Sequence, residues 1–170
     1  MTCTKCIPNL MAATAVLVVL GFAAMAHAAD VAPTERQEIL DLISRYSYAW
    51  DRKDADGWVA LFTDNATLVV YRGGTLRSEL RSNGARLAAA RAALGSQREQ
   101  GVQMRHLQTN TVLERLSDGA VQGETMITVL RQEPGAPTPK PHMTGTYHDR
   151  FEKTRSGWKF TRRELRADQQ

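Results

Sequence analysis

Two side chains of complementary acid-base chemistry stand out in this sequence, Asp51 and His106. Asp51 ends a predicted helix, where a carboxylate faces the negative end of the helix dipole at a cost of up to ~1 kcal/mol. His106 lies in a predicted strand, on the same face as Gln108 and Asn110. A carboxylate that contacts one imidazole nitrogen fixes the tautomer and raises the basicity of the other nitrogen. The pair therefore predicts a general base, and the alternative is a structural, hydrogen-bonded histidine.

Helices predicted in the first half of the chain must position Asp51. Thr34 and Gln37 resemble a capping box at the start of the first helix. Its predicted buried stripe repeats at helical spacing and consists of Ile39, Leu42, Ile43, Tyr46 and Trp50. Asp54 is predicted to cap a short second helix, whose apolar residues are Trp58, Leu61 and Phe62. A third, alanine-rich helix is predicted over residues 85–94, with Gly95 as its end.

Strands predominate in the second half. The first is predicted at residues 66–71, and the later ones at 104–113, 120–131, 142–153 and 158–165. Residues 133–141 hold four prolines and are predicted to form a loop. Early helices and late strands predict an α+β fold, in which a curved antiparallel sheet wraps around the N-terminal helices. Such a cone is open at one end and offers a pocket for a small molecule.

Residues 1–28 have the pattern of a signal peptide. Lys5 precedes an apolar run over residues 11–25, and Ala26-His27-Ala28 supplies the small residues that a signal peptidase requires. We therefore expect a periplasmic or secreted protein with one domain over residues 29–170 and no stable membrane insertion. An uncleaved anchor is the alternative.

Composition excludes several classes of partner and site. Without residues 1–28, 21 basic and 18 acidic side chains remain, a net charge of +3 that is weak for a nucleic-acid binder. Cys3 and Cys6, the two cysteines, lie in the leader, so residues 29–170 have neither a disulfide nor a thiolate zinc site. The three remaining histidines lie on two predicted strands without spaced carboxylates, so no metal is expected. Two of them, His142 and His148, are predicted to point outward to solvent.

The order of motifs resembles the SnoaL-like branch of the nuclear transport factor 2 superfamily. The matching segments are ILDLISRY at 39–46, WDRKD at 50–54, Trp58, LFTD at 61–64, RH at 105–106, Asn110, GTY at 145–147 and GWKF at 157–160. This group includes scytalone dehydratase, bile acid 7α-dehydratase, hexachlorocyclohexane dehydrochlorinase and ketosteroid isomerase. It also includes binding domains without catalytic activity.

The resemblance implies a dyad, in which the histidine matching His106 removes a proton from carbon and the aspartate matching Asp51 orients it. A tyrosine of the bile acid enzyme matches Tyr46, which becomes a candidate third catalytic residue. Tyr46 and Asp51 differ by ~140° around a helix, so they share a face only if the helix end unwinds. The second histidine of scytalone dehydratase has no counterpart, because strand 120–131 offers only Glu124 and Thr125 nearby. The substrate is therefore not implied.

Together these observations predict a cofactor-free lyase or isomerase that acts on a small hydrophobic cyclic molecule. The candidate substrate-binding residues are Trp50, Phe62, Asn110, Thr125, Tyr147 and Arg163, the last for an anionic group. The alternative is a ligand-binding domain of the same fold without catalysis. An Asp51–His106 contact favours the enzyme, whereas a separation well beyond ~3.5 Å favours the binding domain. The resemblance also implies a homo-oligomer, either a dimer or a trimer.

Overall fold

The computed structural model describes Met1 and residues 30–168. The predicted signal peptide therefore lies almost entirely outside the described residues. The helices are α1 (Pro33–Asp51), α2 (Ala55–Val59) and α3 (Asn83–Glu99). The strands are β1 (Phe62–Arg72), β2 (Thr75–Leu80), β3 (Gln103–Arg115), β4 (Val121–Gln132), β5 (Lys140–Thr154) and β6 (Gly157–Ala167). These strands form one sheet in the order β2-β1-β6-β5-β4-β3.

The helices form where the apolar spacing predicted them, with different ends. The N-cap of α1 is Ala32, which has no side-chain cap, and the next residue is a proline with its φ already helical; the capping box at Thr34 was wrong. The Asp54 cap of α2 is confirmed, because its carboxylate accepts a hydrogen bond from the Gly57 N–H at 2.8 Å. Helix α3 passes through Gly95 to Glu99, since open space surrounds that glycine and nothing forces a left-handed turn there.

The sheet confirms the α+β class and differs from the expectation in three details. Strands β1 and β6 pair in parallel, whereas the other neighbours are antiparallel. Short hairpin turns make consecutive strands from β3 to β6 antiparallel. Because α3 lies between β1 and these strands in the chain, no hairpin fixes the direction of β1 relative to β6. The edge strand β2 was not predicted, because its mostly exposed residues show no alternating apolar pattern. Phe62 begins β1 instead of ending the second helix.

Aromatic rings fill the space between the helices and the sheet. Tyr46 of α1 contacts the rings of Trp58, Phe62, Tyr147 and Phe160, with centroids 5.6–6.2 Å apart. These contacts bury the central part of α1 against the concave face of the sheet. The end of α1 is thereby held next to β3, which carries His106.

Halfway along strand β3, the side chains switch the face of the sheet on which they lie. Its pairing with β4 shifts between Thr109 and Val112, and Asn110 in this bulge has a φ of 54°. The extra residue turns Asn110 and Val112 to the solvent and leaves Thr111 half-buried. The prediction that Asn110 shares the face of His106 was therefore wrong.

Candidate active site

The side chains of Asp51 and His106 are in direct contact. His106 Nδ1 lies 2.6 Å from Asp51 Oδ1, and the His106 backbone N–H donates to Asp51 Oδ2 at 3.0 Å. Both carboxylate oxygens are thus occupied by the same residue. The two side chains are 9% and 10% exposed, so water weakens their interaction little. Asp51 as an acceptor assigns the proton to Nδ1 and leaves the Nε2 lone pair available.

Backbone contacts fix both members of the pair. The Gln103 amide donates to the Asp51 carbonyl at 3.0 Å and to the Met104 carbonyl at 2.7 Å, joining the end of α1 to the start of β3. His106 pairs with Val129 in the middle of the β3/β4 ladder. A helix end and a strand, rather than mobile loops, therefore set the geometry of the dyad.

His106 separates two spaces. One is a groove of about 370 Å³ between α1 and β3, which Asp51 and His106 both line; we call it the α1/β3 groove. The other is a cavity of about 240 Å³ inside the cone, which we call the central cavity. Its lining comprises Tyr46, Trp50, Trp58, Leu68, Val70, Gln97, Met104, His106, Val129, His142, Met143, Tyr147 and Leu165.

Two tyrosines supply hydroxyl groups to the largely apolar cavity. Burial raises the pKa of Tyr46, against the opposing Arg163 charge and the contact with Tyr147. Burial also raises the pKa of Tyr147, and Tyr46 adds to that shift. Both hydroxyl groups therefore stay protonated at neutral pH.

Arg163 does not serve as a contact for an anionic ligand, because its side chain is fully buried. Its guanidinium stacks on the Tyr46 ring at 3.9 Å and on the Tyr147 ring at 3.6 Å. Its Nε lies 3.3 Å from Asp149 Oδ1. The prediction failed because the strand turns this position into the core beneath the tyrosines.

Two polar residues that were not among the predicted site residues complete this arrangement. Gln108 accepts a hydrogen bond from Arg163 and donates to Ser47 Oγ at 2.6 Å and to the Ile43 carbonyl at 3.0 Å. Burial raises the pKa of Asp149 to about 7, although the Arg163 charge opposes the shift. The alternation along β5 was the available signal, because Asp149 lies two residues after the inward-facing Tyr147.

Three further candidates lie away from the cavity lining. Asn110 is exposed at the bulge, where its amide contacts Met126 Sδ at 3.3 Å. Thr125 is buried, and its hydroxyl lies 3.1 Å from that of Thr111. Phe62 is a core residue behind Tyr46. Trp50 and Tyr147, by contrast, do line the cavity.

The other two described histidines have different surroundings, although both were predicted to point outward. His148 does so, and its Nδ1 lies 3.2 Å from Glu124 Oε1. His142 lines the central cavity, because the β4/β5 pairing passes from Val129–Met143 to Leu130–Pro141 and leaves His142 in a bulge. Burial lowers the pKa of His142, with a further contribution from nearby positive charges.

Residues 30–168 include no cluster of three or more His, Cys, Asp or Glu side chains suited to a metal ion. Within the same residues, no helix is both long and apolar enough to span a membrane.

The sequence and the fold of this chain are similar to those of known proteins. A family model described as SnoaL-like domain matches residues 32–164. The chain belongs to the SnoaL-like family. The match spans all three helices and β1 to β5, so the dyad lies inside the shared domain. No curated protein sequence matches the chain.

Solved structures agree on the fold. Aln2 from a Streptomyces species has a TM-score of 0.69 and 25% identity, covering 80% of this chain and 92% of that chain. An NTF2-like protein with a cystatin-like fold from Novosphingobium aromaticivorans has a TM-score of 0.66 and 22% identity, and the match covers 78% of this chain and 81% of that chain. A scytalone dehydratase candidate from the same species has a TM-score of 0.64 and 20% identity, and the match covers 79% of this chain and 84% of that chain. The nuclear transport factor 2-like fold class is confirmed.

Proposed function

We propose that the protein is a cofactor-free lyase or isomerase of the dehydratase type, with His106 as its general base. The observation that carries this proposal is the 2.6 Å contact between Asp51 and His106 at the wall of an apolar cavity. A ligand-binding domain without catalysis has no need of a carboxylate that fixes the tautomer of a cavity histidine. The contact therefore favours the enzyme over the binding domain.

The chemistry follows from the proton positions. Asp51 holds the proton on Nδ1, so Nε2 accepts the proton of a substrate C–H bond, and the carboxylate stabilises the imidazolium. The C–H electron pair forms the new double bond while the leaving group departs with its own pair. A leaving hydroxyl takes the proton from Nε2 and departs as water. The Tyr46 hydroxyl, which stays protonated at neutral pH, is the candidate donor to the departing oxygen.

The cavity limits the size of the substrate. Pockets for drug-sized ligands usually measure about 300–1,000 Å³, whereas the central cavity measures about 240 Å³. We therefore favour one or two fused rings over a steroid skeleton. A thermal-shift screen with aromatic polyketides, chlorinated cyclic compounds and steroids tests this order, because ligands that bind the folded state raise Tm. Stronger shifts with steroids than with the compact compounds would contradict it.

The base assignment is tested by replacing His106. With a substrate from that screen, His106→Ala is expected to lower kcat at least ~100-fold, the usual contribution of a general base. His148→Ala is the matched control, because His148 contacts Glu124 on the outer face of the sheet. An equal loss in both variants, or none in His106→Ala, would disprove the assignment.

Export and self-association are part of the proposal. We expect the mature chain to begin at Ala29. Intact-mass measurement on protein recovered from the periplasm or the medium tests this start, and light scattering on the same sample tests for a dimer or trimer. Full-length protein retained in the membrane would favour the uncleaved anchor.

A further inference from the structure

The mouth of the central cavity differs from its interior because a guanidinium group lies near it. Along β1, Leu68 is buried in the cavity wall and Val70 is half-buried nearer the opening. Arg72 is the next residue on the same face, because side chains of a strand alternate with a period of two. The parallel pairing with β6 continues without a shift from Thr67 to Arg72, so this facing is preserved. The alternation therefore places Arg72 beyond Val70, on the cavity side of β1.

His142 reaches the same mouth from β5. Its bulge places it in the cavity lining next to Met143, although its position in the alternation would send it outward. The side chain is exposed, unlike the tyrosines deeper in the cavity. Arg72 lies close enough to His142 for its charge to lower the pKa of the imidazole. A guanidinium and an imidazole thus share one opening.

The charge at this opening is only partly neutralised. Three cationic or titratable neighbours lower the pKa of His142, namely Arg131, Arg72 and His106, whereas Glu133 raises it. Arg131 has its own carboxylate, because its Nε lies 2.6 Å from Glu133 Oε1. For Arg72, the described residues provide no ion-pair partner. One uncompensated guanidinium consequently remains beside a histidine that is neutral at pH 7.

We propose that Arg72 and His142 recognise an anionic oxygen group, so that the substrate is a compact apolar ring bearing a carboxylate. The ring would occupy the central cavity next to His106, and the carboxylate would stay at the mouth. Arg72 would bind it through charge-assisted hydrogen bonds, and a neutral His142 would donate from one ring nitrogen. This inference rests on the proposed function for the identity of the cavity, and it assigns to Arg72 the role that the buried Arg163 cannot perform.

Calorimetric titration with two ligands of nearly equal shape, 2-naphthoate and 2-naphthamide, tests the proposal. At low ionic strength we expect the full chain to bind the carboxylate at least about tenfold more tightly than the amide. Arg72→Gln should remove that preference, because the affinity for the naphthoate falls to about that for the naphthamide. His142→Ala should weaken naphthoate binding less, by about threefold to tenfold.

Arg155→Gln is the matched control, because it removes the same charge from the exposed turn between β5 and β6. The proposal is overturned if the unaltered protein binds both compounds equally or binds neither. It is also overturned if Arg155→Gln lowers the preference as much as Arg72→Gln. The readout is binding, so a preserved preference without turnover of any carboxylated ring would contradict the proposed function and leave the anion site standing.

Discussion

Two acid-base pairs among the described residues, Asp51–His106 and Asp149–Arg163, have opposite surroundings. In the first pair both carboxylate oxygens accept hydrogen bonds, and the side chains retain some exposure. In the second pair the side chains are fully buried, and neither oxygen of Asp149 has a hydrogen bond. The first arrangement suits proton exchange with a ligand, whereas the second holds charge away from any ligand.

The difference shows that the pair that shapes the cavity wall is distinct from the pair that can exchange a proton with a ligand. Arg163 stacks on the faces of Tyr46 and Tyr147, and these two rings in turn line the central cavity. Desolvating an ion pair costs several kcal/mol per ion, which good geometry only partly offsets. The buried pair therefore shapes the cavity wall at a cost in stability, while the Asp51–His106 pair carries the proposed base.

The largest effect is expected from breaking the buried pair. At pH 8, Arg163→Met removes the charge that opposes the rise in the pKa of Asp149, so folding must bury an uncompensated carboxylate or bind a proton to it, and the free energy of unfolding should fall by about 3–5 kcal/mol. Urea denaturation measures this loss. Replacing both partners, as Arg163→Met with Asp149→Leu, should recover stability to within about 1 kcal/mol of the original protein. A single variant that is no less stable than the double variant would show that the pair carries no such penalty.

A smaller effect, on catalysis rather than stability, is expected at the dyad. Asp51→Asn offers His106 Nδ1 an amide that can reverse the tautomer, so kcat should fall at least about 100-fold on the screened substrate. Asp54→Asn is the control, because it removes a carboxylate three residues away and asparagine caps a helix equally well. Normal turnover in Asp51→Asn would mean that the carboxylate has no catalytic role.

Per pH unit, the smallest expected effect is a change in stability that arises from the buried Asp149–Arg163 pair. The pKa of Asp149, about 7 in the folded state, exceeds the unfolded value near 3.9. Between pH 4 and 7 the folded chain holds a proton that the unfolded chain has lost, so its stability falls as the pH rises, by up to about 1.4 kcal/mol per unit. The contribution is full below pH 4 and lost above pH 7.

Urea denaturation at pH 5 and pH 8 measures this slope, and Asp149→Asn should remove it. The comparison with the unaltered protein cancels the titration of groups that both chains share. An unchanged slope in Asp149→Asn would assign the pH dependence to other groups.

Much of the fold followed from spacing. The apolar stripe of α1 and the Asp54 cap were both predictable, because each depends on neighbours in the chain. The edge strand β2 and the end of α3 were not, since an exposed strand lacks a buried face and a glycine inside a helix resembles a stop signal.

The candidate site divides in the same way. Residue types and resemblance paired Asp51 with His106 across 55 positions, which no local rule provides. The placement of Asn110 and His142 depended on bulges in β3 and β5, and the sequence shows no periodic sign of either. Arg163 was misplaced because a basic residue near a chain end is normally solvated, whereas here two tyrosine rings shield it.

The bulge in β3 has a consequence for changes in chain length. Met104, His106 and Gln108 precede it, so an insertion or deletion at Asn110 leaves their register with β4 untouched. The same event reverses the facing of every residue from Thr111 to the end of the strand. Related chains can therefore vary the rim beyond the bulge through length changes alone while His106 stays in place.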